Sequence, residues 1–197
     1  MTNEKSEDIL SASLDEIIKT GYTRVSKILG MFQDFSHIDP NILKLKCEIG
    51  SQVHNAIEAH YKKEFYPTCL RAQEYYAGFK NALEGELQNY KPILLEKRFY
   101  SEELLLTGRI DGIFENEGKK TLIDYKTSAQ ANKKVWGLQL ALYCMLMKEN
   151  GIADVSQAKV LHLKRDGKFK LIDLSPTEQD FELAKRAVKL YFHFNKK

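Results

Sequence analysis

Cysteine is scarce: Cys47, Cys69 and Cys144 are the only three in 197 residues. An odd, scattered set at no metal-ligand spacing excludes a disulfide scaffold and a four-thiolate cluster, and points to a reducing compartment with free thiols. Proline is equally sparse, with four residues, and no low-complexity linker or internal repeat divides the chain, so a single domain is expected. No apolar run approaches the ~20 residues needed to cross a bilayer. The start, Met1 to Leu10, is charged and lacks the apolar core of a signal peptide. The expectation is a cytoplasmic protein with no membrane partner. Charge of one sign is lacking too: 30 Lys and Arg against 27 Asp and Glu leave a net +3 and a pI near 8.6. That balance permits a nucleic-acid partner, but only a local basic patch would argue for one.

What is present suits a sizeable core, since 43% of residues are hydrophobic. Residues 1–90 read as a helical N-terminal part. Helical periodicity covers Asp8 to Lys19, then a short helix from Thr23 as N-cap to Gly30, a long helix from Pro40 to Phe65, and another from Pro67 to about Tyr90. Residues 91–175 read as the sheet core. Ile93–Tyr100, Leu104–Phe114 and Lys119–Tyr125 form an antiparallel meander, with a turn at Asn116-Glu117-Gly118. A polar loop with Lys133 and Lys134 opens the next helix, and Val155–Leu163 and Lys168–Leu174 are joined by a hairpin turn at Arg165-Asp166-Gly167. Residues 176–197 form a last amphipathic helix. The fold class expected is α/β (α+β), a mixed central sheet flanked by helices.

The chemistry concentrates between Gly108 and Tyr143. Asp111 ends an apolar run and is followed by Gly112. Asp124 and Lys126 flank Tyr125, and two-residue spacing in a strand puts both charged side chains on one face. Gln139 and Tyr143, four apart, share a helix face. Upstream, His54 lies one turn after Gly50, beside the stripe Ile49, Val53, Ile57 and Tyr61, with Glu58 one turn on to receive a ring N–H. Glu96 is either an edge salt bridge or part of a site. Arg24 by itself reads as a solvated basic side chain, and the Tyr75-Tyr76 pair either stacks on bases or, as its helical spacing favours, belongs to the core.

These residues resemble the PD-(D/E)XK nuclease superfamily, within it the RecB-type and lambda-type exonuclease branch of phage recombination. Gly108-Arg109-Ile110-Asp111 is similar to that family's first-aspartate pattern, Asp124-Tyr125-Lys126 to its Asp/Glu-x-Lys motif, Gln139 and Tyr143 to its Gln-x-x-x-Tyr helix, and Gly50 to His54 to its Gly-x-x-x-His helix. The resemblance implies a restriction-endonuclease-like core and a DNA exonuclease of recombination, end resection or repair. It also implies one or two Mg²⁺ or Mn²⁺ ions, held by Asp111, Asp124, the Tyr125 carbonyl, His54 and Glu96. Lys126 would orient the attacking water. Arg24, Arg109, Lys133, Lys134, Gln139 and Tyr143 would contact DNA or position the site. Hard oxygen donors suit Mg²⁺, and an imidazole suits Mn²⁺ as well. No iron–sulphur cluster is expected. Partners implied are DNA, an annealing or recombination protein, and further copies of the chain. The alternatives are a catalytically idle DNA-binding or assembly subunit on the same fold, and a nuclease trimming single-stranded flaps.

Overall fold

The computed structural model describes residues 21–152 and 154–195. The expected helix Asp8–Lys19 lies outside them. The described elements are β1 (Thr23–Arg24), α1 (Val25–Gly30), α2 (Pro40–Lys62), α3 (Leu70–Glu84), β2 (Lys91–Ser101), β3 (Leu106–Asn116), β4 (Lys119–Lys126), α4 (Lys133–Glu149), β5 (Val155–Leu163), β6 (Phe169–Asp173) and α5 (Glu178–Asn195). None of these helices is long and apolar enough to cross a membrane.

The six strands form one mixed sheet. β2, β3 and β4 are antiparallel neighbours, as their alternation and tight turns predict. β4 and β5 run parallel because α4 carries the chain back over the sheet, and β5 and β6 close as a hairpin with Gly167 at φ 72°. α1, α4 and α5 bury one face of the sheet, around Ile110, Leu122, Leu140, Leu146 and Val160. α2 and α3 bury the other, around Val53, Ile57, Phe79, Phe114, Ile123 and Tyr125. Each such side chain removed from water stabilises the fold by about 1.5–3 kcal/mol.

One expectation fails locally. Thr23 does not cap a helix; it pairs in parallel with Leu106, and Arg24 with Thr107. The extended backbone this pairing fixes moves the helix start to Val25, with Arg24 as an N-cap residue that makes no side-chain capping bond. The two long N-terminal helices also end earlier than their periodicity suggests. α2 stops where Lys63 turns left-handed at φ 59°, and Gly85 closes α3. The start of α2 follows the sequence: Pro40 sits at the first helical position, and the Asp39 carboxylate accepts from the Asn41 and Ile42 amides at 2.8 and 3.3 Å. Gly50 leaves the helix unbroken. α3 begins at Leu70 rather than at the expected Pro67, after extended backbone at Cys69.

The edges of β3 explain where a site can form. β2 covers one edge along its length. The opposite edge is shared: β1 takes Leu106 and Thr107, and β4 takes Gly112 to Asn116. Between them, Gly108 to Asp111 have no strand partner on that edge among the described residues. β4 runs on past this point, paired only to β5 through Asp124, Tyr125 and Lys126. α4 packs at the resulting opening. A Cβ on Gly108 would lie 2.8 Å from the Tyr143 ring and 2.9 Å from Leu146, so glycine is what lets the helix come this close.

Candidate active site

Where β3 and β4 part, the Tyr125 N–H has no backbone acceptor on β3, and the Asp111 carboxylate takes that place at 2.7 Å. The other Asp111 oxygen lies 3.2 Å from His54 Nδ1, which reaches down from α2. Glu96 Oε1, on β2, lies 3.8 Å from the same nitrogen. Helix and sheet meet tightly just above: a Cβ on Gly50 would be 3.3 Å from Thr127 Oγ1, so the missing side chain one turn before His54 permits this approach.

Glu96 reaches this point through a distorted strand. It stands across from Asp111 in the register set by Leu95–Gly112 and Lys97–Ile110, and its φ is +48°. A non-glycine residue in that region carries strain that its surroundings must hold in place. Arg109 does the holding: its Nε is 2.7 Å from Glu96 Oε2 and 3.3 Å from the Glu96 carbonyl, and its Nη2 is 3.7 Å from Glu58. Glu58 is itself tied to Lys62 at 2.8 Å. The Glu58 carboxylate therefore does not serve the His54 ring, as the helical spacing suggests. It serves Arg109, and His54 turns to the carboxylates on the sheet.

Asp124 sits on the α4 side. Its Oδ1 accepts from Gln139 Nε2 at 3.0 Å, and its Oδ2 pairs with the Lys126 ammonium. The same Gln139 nitrogen donates to the Tyr143 hydroxyl at 3.0 Å. Gln139 thus bridges the Asp124 carboxylate and the Tyr143 hydroxyl. Of the sequence-selected residues, the fold brings together His54, Glu96, Asp111, Asp124, Tyr125, Lys126, Gln139, Tyr143 and Arg109. Lys133 and Lys134 are exposed in the first turn of α4, and Arg24 is half-buried beside Thr107 of β3. One arrangement was not legible in the sequence: Arg109 as the clamp on Glu96. The strand register would have paired Glu96 with Arg109's neighbourhood, but only once the bulge between Pro92 and Leu94 is known.

Donors from His54, Glu96 and Asp111 all lie within 4.8 Å of one another. Glu96 Oε1 is buried and accepts no hydrogen bond, a costly condition for a carboxylate oxygen that a cation would relieve. One imidazole nitrogen and two carboxylates are a fitting donor set for a divalent ion. Asp124 stands just outside this trio, with both oxygens engaged.

The electrostatics agree. Burial, then the nearby Asp111 charge, push Glu96 up to about 7, with Arg109 opposing. Burial likewise raises Asp124 to about 6, against the pull of Lys126. For His54, burial disfavours the cation, but Asp111 and Glu96 outweigh it and raise the ring to about 9. Asp111 is lowered: burial raises it, and His54, Lys126 and the Tyr125 amide more than compensate. For Glu96 and His54 the folded protein holds protons that the unfolded chain would release at lower pH. Their stabilising contribution is therefore full below their unfolded values, near 4.5 and 6.5, and is lost as pH rises through about 7 and 9 respectively. An ion competes for the same donors and needs them deprotonated. The rise in Tm on replacing EDTA with Mg²⁺ should grow steadily from pH 6 to 9 in a thermal melt series; an increment independent of pH would contradict the placement of the ion among these groups.

A mixed sheet that brings three acidic side chains together, with a lysine beside one of them and a histidine above another, defines an α/β domain with a buried, charged centre. The chain belongs to the PD-(D/E)XK nuclease superfamily, whose profile matches residues 33–191. Among solved structures, a protein of Eubacterium rectale named "Putative exonuclease" is similar, with a TM-score of 0.55 at 10% identity, over 92% of this chain and 84% of that one. The structure of a protein named SSO0001 aligns with a TM-score of 0.41 at 14% identity, over 98% of this chain and 84% of the other. No curated protein matches.

Proposed function

We propose that the protein is a Mg²⁺- or Mn²⁺-dependent deoxyribonuclease that hydrolyses phosphodiester bonds from DNA ends, in recombination, end resection or repair. The observation that carries this reading is the convergence of His54, Glu96 and Asp111 within 4.8 Å beside the Asp124–Lys126 pair. A divalent ion held there would stabilise charge on the phosphate and help generate hydroxide from water. The chain's own residues do the rest. Arg109 fixes Glu96 in its strained position, and Gln139 fixes Asp124. Lys126, a compact ammonium at the strand end, is placed to exchange its carboxylate partner for the attacking water or a phosphate oxygen as charge develops. Arg24, Lys133 and Lys134 are cations available to the DNA backbone, and assembly with further copies or with an annealing protein fits a role at DNA ends.

The idle-subunit reading shares the fold and predicts binding without turnover. A digest of end-labelled single-stranded, double-stranded and flapped DNA, with free and with blocked ends, separates the readings. Ladders that need a free end and vanish in EDTA are expected. Cleavage of blocked or circular DNA at equal rate would overturn the exonuclease assignment, and binding without any cleavage would favour the idle subunit.

A further inference from the structure

His162 is the one polar residue among the buried positions of β5, which are otherwise Ala158, Val160, Leu161 and Leu163. Only 1% of it is exposed. Its ring stands edge-on to Trp136 of α4, with centroids 4.9 Å apart, and Nε2 lies 2.7 Å from the Ser128 carbonyl. A carbonyl can only accept, so Nε2 carries the proton and donates. Burial lowers the ring's basicity, so it is neutral in this role near pH 7. An aliphatic side chain would fill this position without needing a partner, so the donor itself calls for an explanation.

The explanation lies in what Ser128 belongs to. His162 is paired in register with Lys126, the last residue of β4. The segment from Thr127 to Asn132 leaves Lys126, passes under Gly50 of α2 and ends as the cap of α4, where Asn132 Oδ1 accepts from the Val135 amide at 3.3 Å. Lys164, one residue past the end of β5, donates to the next carbonyl, Ala129, at 2.8 Å. Two successive carbonyls of an otherwise exposed connection are therefore tied to the sheet from below. That connection joins Lys126 to the exposed Lys133 and Lys134.

The geometry points to His162 as a positioning residue for substrate: its hydrogen bond to Ser128, backed by Lys164, sets the height of the 127–132 connection and so the reach of Lys133 and Lys134 toward the DNA strand. This rests on the nuclease reading above, and it goes beyond it by assigning a role to a residue outside the acidic centre. No proton transfer is involved; the effect is on where the backbone and its flanking cations stand.

The test compares His162→Phe, which keeps a ring against Trp136 and removes the donor, with His162→Gln, whose amide nitrogen restores a donor near the Nε2 position. With a single end-labelled DNA strand and Mg²⁺, His162→Phe is expected to raise KM about tenfold, the scale of one lost hydrogen bond, with kcat close to native. His162→Gln is expected to recover most of that loss. Amide exchange across residues 128–131 should quicken in the Phe variant and not in the Gln variant. A merely structural histidine would lower Tm in both variants and leave KM alone, and that outcome would overturn the proposal. So would unchanged exchange in the Phe variant. If the native protein cleaved no DNA, the nuclease reading would fall. The same comparison by DNA-binding titration, Kd replacing KM, would then decide the role of His162.

Discussion

Asp111→Asn should abolish cleavage while the protein stays folded. The amide oxygen can still accept from the Tyr125 N–H, now 2.7 Å from the carboxylate, so the strand junction keeps its backbone partner. What is lost is the negative charge 3.2 Å from His54 and one of the three donors gathered within 4.8 Å. Without Asp111 the His54 ring, raised to about 9 in large part by that carboxylate, returns toward its ordinary basicity. Glu96 loses the repulsion that helps raise it to about 7. The two remaining donors then cannot offset the cost of desolvating an ion. A fall in kcat on the order of 10³-fold is expected, comparable to deleting a principal charge-stabilising group. DNA affinity should hold or rise, because a negative charge near the phosphate is gone. A folded variant with near-native turnover would remove Asp111 from the centre.

Lys126→Ala should be nearly as severe, with kcat lowered about 10²–10⁴-fold and DNA binding changed far less. The ammonium is largely buried, at 21% side-chain exposure, against an Asp124 that is almost wholly enclosed. Removing it leaves that carboxylate with Gln139 alone, and burial then drives Asp124 further toward its protonated form. Lys126→Arg should not rescue turnover, since a planar guanidinium would demand two acceptors in a space shaped for one compact cation. Rates measured at saturating DNA separate this from a phosphate-binding role. Full activity in the arginine variant would reduce Lys126 to such a contact.

The helices and strands were legible in the sequence because their signals are local. Alternation with the Asn116-Glu117-Gly118 turn marks the β3–β4 hairpin, and Pro40 after Asp39 marks the start of α2. Thr23 misleads because its conformation is set by Leu106, more than eighty positions away. Much of the candidate centre was legible for another reason. Asp124 and Lys126 sit near the end of a strand whose period fixes their shared face, Asp111 closes an apolar run just before a glycine, and Gly50 lies one turn before His54. The arrangement around those residues was not. Helical spacing offers Glu58 to His54, yet a half-exposed arginine from β3 claims Glu58. Likewise nothing near Gln139 in the chain says that its amide serves Asp124. His162 reads locally as one more residue of a buried strand, and only the parallel register with Lys126 brings it beneath the connection it holds.

The claim on which the rest depends is that His54, Glu96 and Asp111 hold a divalent ion, and a calorimetric titration of Mn²⁺ into the protein tests it most directly. The native protein should bind Mn²⁺ saturably and release protons on binding, more at pH 7 than at pH 9, because Glu96 and His54 must give theirs up. Folded Asp111→Asn should show no saturable heat. Equal binding by the native and Asp111→Asn proteins, with no proton release from either, would contradict the account.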